Sequence, residues 1–309
     1  MSAVPTTPGA PGAAGTPGIE AQRTGRVRRF LGRKRPVTVI VAASVLGLLV
    51  LAAVTADFVR PMDSRGINLA RSLEAPSLAH PMGTDQVGRD LLTLAVHGLR
   101  LSFGVSILAA MGAMAVGALI GVAAGTLGGR ADGVMMRGID VFQSQNHFLF
   151  AILIVVLFRP TLGGAGAIAL SVAVTHWVQV ARIVRGELLS LRERPFVQAA
   201  VNGGVGRARL ATRHFLPHLI PQLGLAFVLM MPHAIFHESG LSFLGLGMPP
   251  DQASLGNLLS DSRRSLMLGG WWTAFFPGAL IFIASLCVGV VGEYVRERSN
   301  PRWRSELEL

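Results

Sequence analysis

The chain has 309 residues, 51% hydrophobic and 15% charged, with a net charge of +11 and a mean hydropathy of +0.52. That much apolar surface exceeds what one soluble core can hide, which excludes an ordinary water-soluble domain and makes lipid the natural solvent. The basic residues lie between long uncharged runs rather than on one groove-sized patch, so the charge speaks for membrane topology and against nucleic acid.

Residues 1–36 are expected to form a disordered basic cytoplasmic tail: 1–22 are rich in Pro, Gly, Ala and Thr, and Arg23 to Arg35 carry a cluster of positive charge. The first apolar run starts too far in and runs too long for a cleavable signal segment, so Val37 to Ala56 is expected to stay as an anchor. A helix needs roughly 20 apolar residues to cross the hydrocarbon layer. Six segments qualify: Val37 to Ala56, Leu101 to Leu127, Val141 to Phe158, Thr161 to Ala181, Leu219 to Phe236 and Gly269 to Gly292. The third and fourth are expected to be joined by a tight turn at Arg159-Pro160. Leu241 to Met248 is apolar but too short to span, which suggests an interfacial or re-entrant piece. The expected fold is all-α and polytopic, with six transmembrane helices. The first helix and an extracytoplasmic segment occupy 37–100, a five-helix core 101–292 and a cytoplasmic tail 293–309.

With the N-terminus in the cytoplasm, Arg130 and Arg137, the loop Arg182 to Arg213, and Arg296 to Arg304 also fall inside. With the N-terminal cluster these hold roughly 20 of the 28 Lys and Arg residues, the asymmetry of the positive-inside rule. The location expected is the cell or inner membrane, with both termini cytoplasmic. Asp57 to Arg100, the turn at Arg159 and Ser239 to Leu268 fall outside, and Trp271 and Trp272 are expected to anchor the last span at its outer mouth. Cys287, the single cysteine, sits inside an apolar run and is assigned to packing. No G-x-x-x-x-G-K-[ST] phosphate loop occurs, so ATP chemistry would have to come from a partner.

The segment Arg192 to Gln222, which starts inside the expected coupling loop 182–217, reads "RERPFVQAAVNGGVGRARLATRHFLPHLIPQ", helix-compatible at first, broken by Gly203, Gly204 and Gly206, and closed by Pro217 and Pro221. Gln198-Ala199-Ala200, then Gly204, then Leu216-Pro217 resemble the coupling loop of binding-protein-dependent ABC importer permeases, with Gln198 in place of the usual acid. Three further motifs are similar to the dipeptide, oligopeptide and nickel group of those permeases: "HPMGTDQVGRD" from His80, "ESGLSFLGLGMPPDQASLGNLLSD" from Glu238, and "GEYVRERSNPR" near the end. The resemblance covers most of the chain from His80 onward. It implies an ABC type I importer-like permease, a coupling helix that docks on an ATPase, and no catalysis by this chain. The implied partners are a second permease chain, two ATP-binding subunits and an extracytoplasmic solute-binding protein. No cofactor is expected on this chain, with ATP and Mg confined to the partner subunits. Peptides are the first cargo implied and nickel or a nickel chelate the second.

Polar residues inside spans are costly in lipid and commonly face a bundle interior or a wet path. Gln145, Asn146 and His147 in the third span, with interhelical hydrogen bonding as the alternative, and His233, His237 and Glu238 in the fifth are therefore candidates for the translocation path. His233 and His237, four apart on one helix face, are also metal-ligand candidates, a structural pair being the simpler reading. His97 and His176 look isolated in the sequence and receive no role. An intramembrane metalloprotease is disfavoured because Glu238 follows the second histidine, whereas H-E-x-x-H places the acid after the first. A secondary transporter would leave the coupling loop without a purpose, and no internal inverted repeat is evident.

Overall fold

A computed structural model describes residues 36–59, 61, 67–249 and 252–299. The predicted tail 1–36, apart from Pro36, and residues 300–309 of the closing tail lie outside them. All regular structure among the described residues is helical except an isolated antiparallel bridge between Thr84 and Asp90.

Helix α1 spans Pro36–Val54. Helix α2, Leu91–Leu127, starts earlier than the predicted span because Asp90 caps it, accepting from the Thr93 N–H at 2.9 Å. Gly128 and Gly129 follow with φ of 64° and 56°, which turns the chain into α3, Gly129–Gln143. The predicted loop around Arg130 and Arg137 is thus a helix, polar on one face, with Ile139 buried on the other against Val178 and Ala181.

The predicted third span, Val141 to Phe158, is not one helix. α3 ends at Gln143, and Asn146 starts a new helical run, α4, His147–Arg192, by accepting from the Phe148 and Leu149 N–H groups at 3.2 and 3.3 Å. The short side chains of Ser144 and Asn146 compete with the helical ladder, so the break falls on them. Run α4 is a hairpin. Gly163 has φ 69° and ψ 175°, and the ring of His147 lies 5.8 Å from that of His176. Uninterrupted helix would hold those residues about 43 Å apart. The reversal therefore sits at Gly163 rather than at Arg159-Pro160: a proline limits the helix only behind itself, whereas this turn needs a left-handed residue.

Helix α5 is Pro195–Asn202, α6 is Leu216–Phe243, α7 is Leu255–Met267 and α8 is Trp272–Ser299. Residues to Arg192 continue α4, so the predicted loop 182–217 is helical at its start, and α8 carries on past residue 292 into the predicted tail. Among the described residues five helical runs are long and apolar enough to cross a membrane, α4 among them.

Close packing joins α2 to the second arm of α4. Gly117, Gly121 and Gly125 form a stripe four residues apart, and a Cβ on Gly121 would stand 2.8 Å from the Val184 Cβ and 2.7 Å from the Ala181 carbonyl. Helices gain little by excluding lipid from one another, so association depends on backbones approaching this closely.

One end of the bundle carries a layer built from distant segments. The loop before α2 is pinned by its own polar groups: Asp85 accepts from the Val87 and Arg89 N–H groups at 3.0 and 2.8 Å, and Arg89 Nε donates to Asp85 at 2.7 Å. Gln86 Nε2 donates to the Asp261 carbonyl and to Ser265, both at 2.9 Å. Trp272, predicted as an anchor at the mouth of the last span, starts that helix but is buried in the protein, and its Nε1–H donates to the Thr84 carbonyl at 3.1 Å. Trp271 is 55% exposed and keeps the anchoring role open. The apolar Leu241 to Met248 stretch ends α6 and folds over the α4 turn, where Arg159 donates to the Gly245 carbonyl at 3.2 Å. Leu241 and Met248 are buried in the same cluster as Ala167 and Ile168.

Candidate functional site

At the opposite end from Gly163, α5 projects between α4 and α6. Pro195 occupies its first turn, where a missing N–H costs nothing. Val197 is buried with Leu188, Leu191, Leu210 and Phe215, which anchors the helix, while Phe196, Gln198, Ala199 and Val201 are exposed. Gln198 Nε2 donates to the Glu193 carbonyl at 3.3 Å. The helix ends in a Schellman closure: the Gly204 N–H reaches the Val201 carbonyl at 3.0 Å and the Val205 N–H reaches the Ala200 carbonyl at 3.1 Å. Gly204 carries the required positive φ, 81°, and open space surrounds its Cβ direction. Ala200 and Val205 complete the closure with a shared place against the core.

After Gly206 a wide π-helical turn, Leu210–Phe215, leads into α6, and the Leu216 N–H bonds the Ala211 carbonyl. Pro217, in the first turn of α6, has no N–H to offer the ladder, which favours that irregular junction. Leu216 is 44% exposed, and Phe196 stacks on His218 with centroids 5.4 Å apart. The six residues predicted for coupling therefore lie on one helix, its closure and the following junction.

The predicted path residues separate. His147 and His237 converge, with ring centroids 5.4 Å apart, and His176 joins them at 5.8 and 4.5 Å. His176 was not singled out by the sequence; it is far from both partners along the chain, and only the reversal at Gly163 brings it in. His233 lies one turn before His237, 6.4 Å from the His176 ring. Gln145 lines a small cavity with Gln143, His147, Thr175, His176 and Gln179. Asn146 acts as the α4 cap described above.

Glu238 is not part of this group. It is fully buried, accepting from Ser242 at 3.0 Å and Ser239 at 3.3 Å, with Ser102 and Ser254 also donating to it. These serines come from α2, α6 and the cap of α7, so the acid ties three elements together. His97 is likewise not isolated: it faces Asp57 at 3.8 Å, and Asp57 also meets Arg100.

Comparison with known proteins agrees with this architecture. Residues 117–305 match the family described as binding-protein-dependent transport system inner membrane component. The dipeptide transport system permease protein DppC of Bacillus subtilis (strain 168) is 35% identical over 260 residues, covering 84% of this chain and 80% of that relative. The oligopeptide transport system permease protein OppC of the same organism is 33% identical over 265 residues, 86% of each chain. The nickel transport system permease protein NikC of Escherichia coli (strain K12) is 32% identical over 275 residues, 87% of this chain and 96% of the relative. With apolar helical runs, a projecting closed helix and this extent of matching, the chain belongs to the binding-protein-dependent ABC importer permeases, multi-pass membrane proteins of the peptide and nickel group.

Proposed function

We propose that this chain forms one half of the translocation path of an ATP-driven peptide importer and crosses the membrane six times, both arms of α4 counted. The observation that carries the reading is α5: a short helix anchored by Val197, closed at Gly204, with its outward face left uncovered. Such an element suits rigid transmission of a partner's movement. In this reading α5 docks on an ATP-binding subunit, which holds the ATP and Mg, while this chain holds no cofactor and breaks no bond. A second permease chain completes the path, and a solute-binding protein delivers cargo at the Trp272 end. The termini and α5 lie in the cytoplasm, as the distribution of Arg residues favours.

Peptide is the cargo proposed, since dipeptide and oligopeptide permeases align along most of the chain. Nickel is the competing cargo, favoured by the nickel relative and by the converging imidazoles. The test of coupling is Ala199→Trp on the exposed face of α5. ATP-dependent uptake by the assembled transporter should fall to background with the chain still present in the membrane. Undiminished uptake would remove α5 as the docking element. For cargo, the double change His233→Ala with His237→Ala should leave most peptide uptake intact. Nickel accumulation that disappears in the double variant, with peptide uptake absent in the parent, would reverse the assignment.

A further inference from the structure

The histidine group has the attributes of a metal site independently of what the importer carries. One nitrogen from each of His147, His176 and His237 lies within 4.8 Å of the others, with three different helical segments contributing. Imidazole nitrogens sharing an ion at about 2.0–2.1 Å lie roughly 3.4 Å apart, so ring rotations of about an ångström close the set.

Two further observations point to a ligand. The His237 Nδ1 is buried and has no hydrogen-bond partner. A buried polar atom without a partner is costly, and lone-pair donation to a cation is one way to satisfy it. The His176 ring is held from behind: its Nδ1 lies 2.8 Å from Thr175 Oγ1 and 3.2 Å from the Val172 carbonyl. Thr175 Oγ1 itself lies 2.8 Å from the Ser171 carbonyl and donates to it, so the threonine oxygen is an acceptor toward the imidazole. This arrangement places the proton on Nδ1 and leaves the Nε2 lone pair for the ion, the outer support that metal-binding histidines commonly have.

We propose that His147, His176 and His237 bind one divalent transition-metal ion of the nickel, cobalt and zinc class. The all-nitrogen donor set favours these ions over calcium or magnesium, which take oxygen ligands. Three protein ligands leave a position open, as in exchangeable rather than closed structural sites. The ion bridges both arms of α4 to α6, so it couples occupancy to the spacing of those helices. His233, on the same face of α6 one turn away, is the nearest additional imidazole.

The test uses purified full-length chain in detergent, titrated with cobalt and read by visible absorption, with nickel binding measured by equilibrium dialysis. About one ion per chain is expected, with a cobalt spectrum of nitrogen ligation. His176→Ala and His237→Ala should each weaken binding by more than tenfold, and Thr175→Val, which touches no ion, by about tenfold or more. His147→Ala alters an exposed residue at a helix start and guards against a buried variant that fails to fold. Gln179→Ala, beside the site but outside the donor set, should bind as the parent does. A parent that binds no cobalt overturns the proposal, as does a folded His147→Ala chain binding as tightly as the parent. Because the readout involves no transport, a failed importer assignment and a failed metal site are separately visible.

Discussion

Asp132 and Arg185 meet in a two-pronged ion pair: Nε donates to Oδ1 at 2.5 Å and Nη2 to Oδ2 at 2.6 Å. The pair fastens the amphipathic α3 to the second arm of α4, and Arg182 donating to Asp140 at 2.6 Å repeats the connection two turns along. The Arg185 hydrogen bond holds the Asp132 carboxyl below the usual carboxylate range, the charges of Arg185 and Arg192 adding to it against the opposing effect of burial. A depressed folded-state value means stabilisation that is present above the unfolded value of about 3.9 and lost as pH falls through the folded value. Asp132→Asn should lower stability at neutral pH by about 1 kcal/mol and remove that acid dependence. Thermal unfolding in detergent across pH 3 to 7, with parent and variant equally acid-sensitive, would contradict it.

The glycine stripe on α2 offers a paired comparison. A Cβ at Gly121 would strike Val184 and the Ala181 backbone, whereas nothing lies within 4 Å of one at Gly104 on the same helix. Gly121→Ala should destabilise by about 1–3 kcal/mol through overpacking. Gly104→Ala should instead be neutral or stabilising by about 0.5–1 kcal/mol, from helix propensity alone. Melting temperatures that move together in the two variants would discount close helix approach as the source of stability.

At Gly204 the constraint is dihedral rather than spatial. Gly204→Asn, which tolerates a left-handed backbone, should retain most ATP-driven uptake, while Gly204→Val should lose it and cost about 1–2 kcal/mol of stability. Gly204→Trp should abolish uptake with the chain still folded, because the indole would occupy the face proposed to dock on the ATP-binding subunit. Normal uptake by a well-expressed tryptophan variant argues against docking there.

Sidedness can be read with cysteine probes at two exposed serines, Ser77 before α2 and Ser190 near the end of α4. An impermeant thiol reagent added to intact cells should label Ser77→Cys and spare Ser190→Cys, the native Cys287 being buried. The reverse pattern would invert the proposed topology.

Much of the architecture was legible as hydropathy, because a span announces itself by length and composition alone. The special backbone at Gly204 was legible too, since helix, glycine and reversal follow one another in sequence. What could not be read was whatever depends on three-dimensional return. The sequence points to Arg159-Pro160 for the reversal that the fold makes at Gly163, as glycines abound here and only the fold distinguishes the one that turns. His176 carried no periodic signal linking it to His147 or His237. Glu238, next to His237 in the chain, points instead into a cluster of serines, because adjacent helical residues face about 100° apart.

The hydrogen bond from Trp272 to Thr84 bears on biosynthesis. Its donor belongs to the last membrane helix and its acceptor to the segment before the second, so the contact cannot form until nearly the whole chain has left the ribosome. Gln86, waiting for Asp261 and Ser265, is subject to the same delay. The layer at the Trp272 end is thus assembled last, and a nascent chain halted before Asp261 should leave residues 68–90 open to added protease that the finished protein resists.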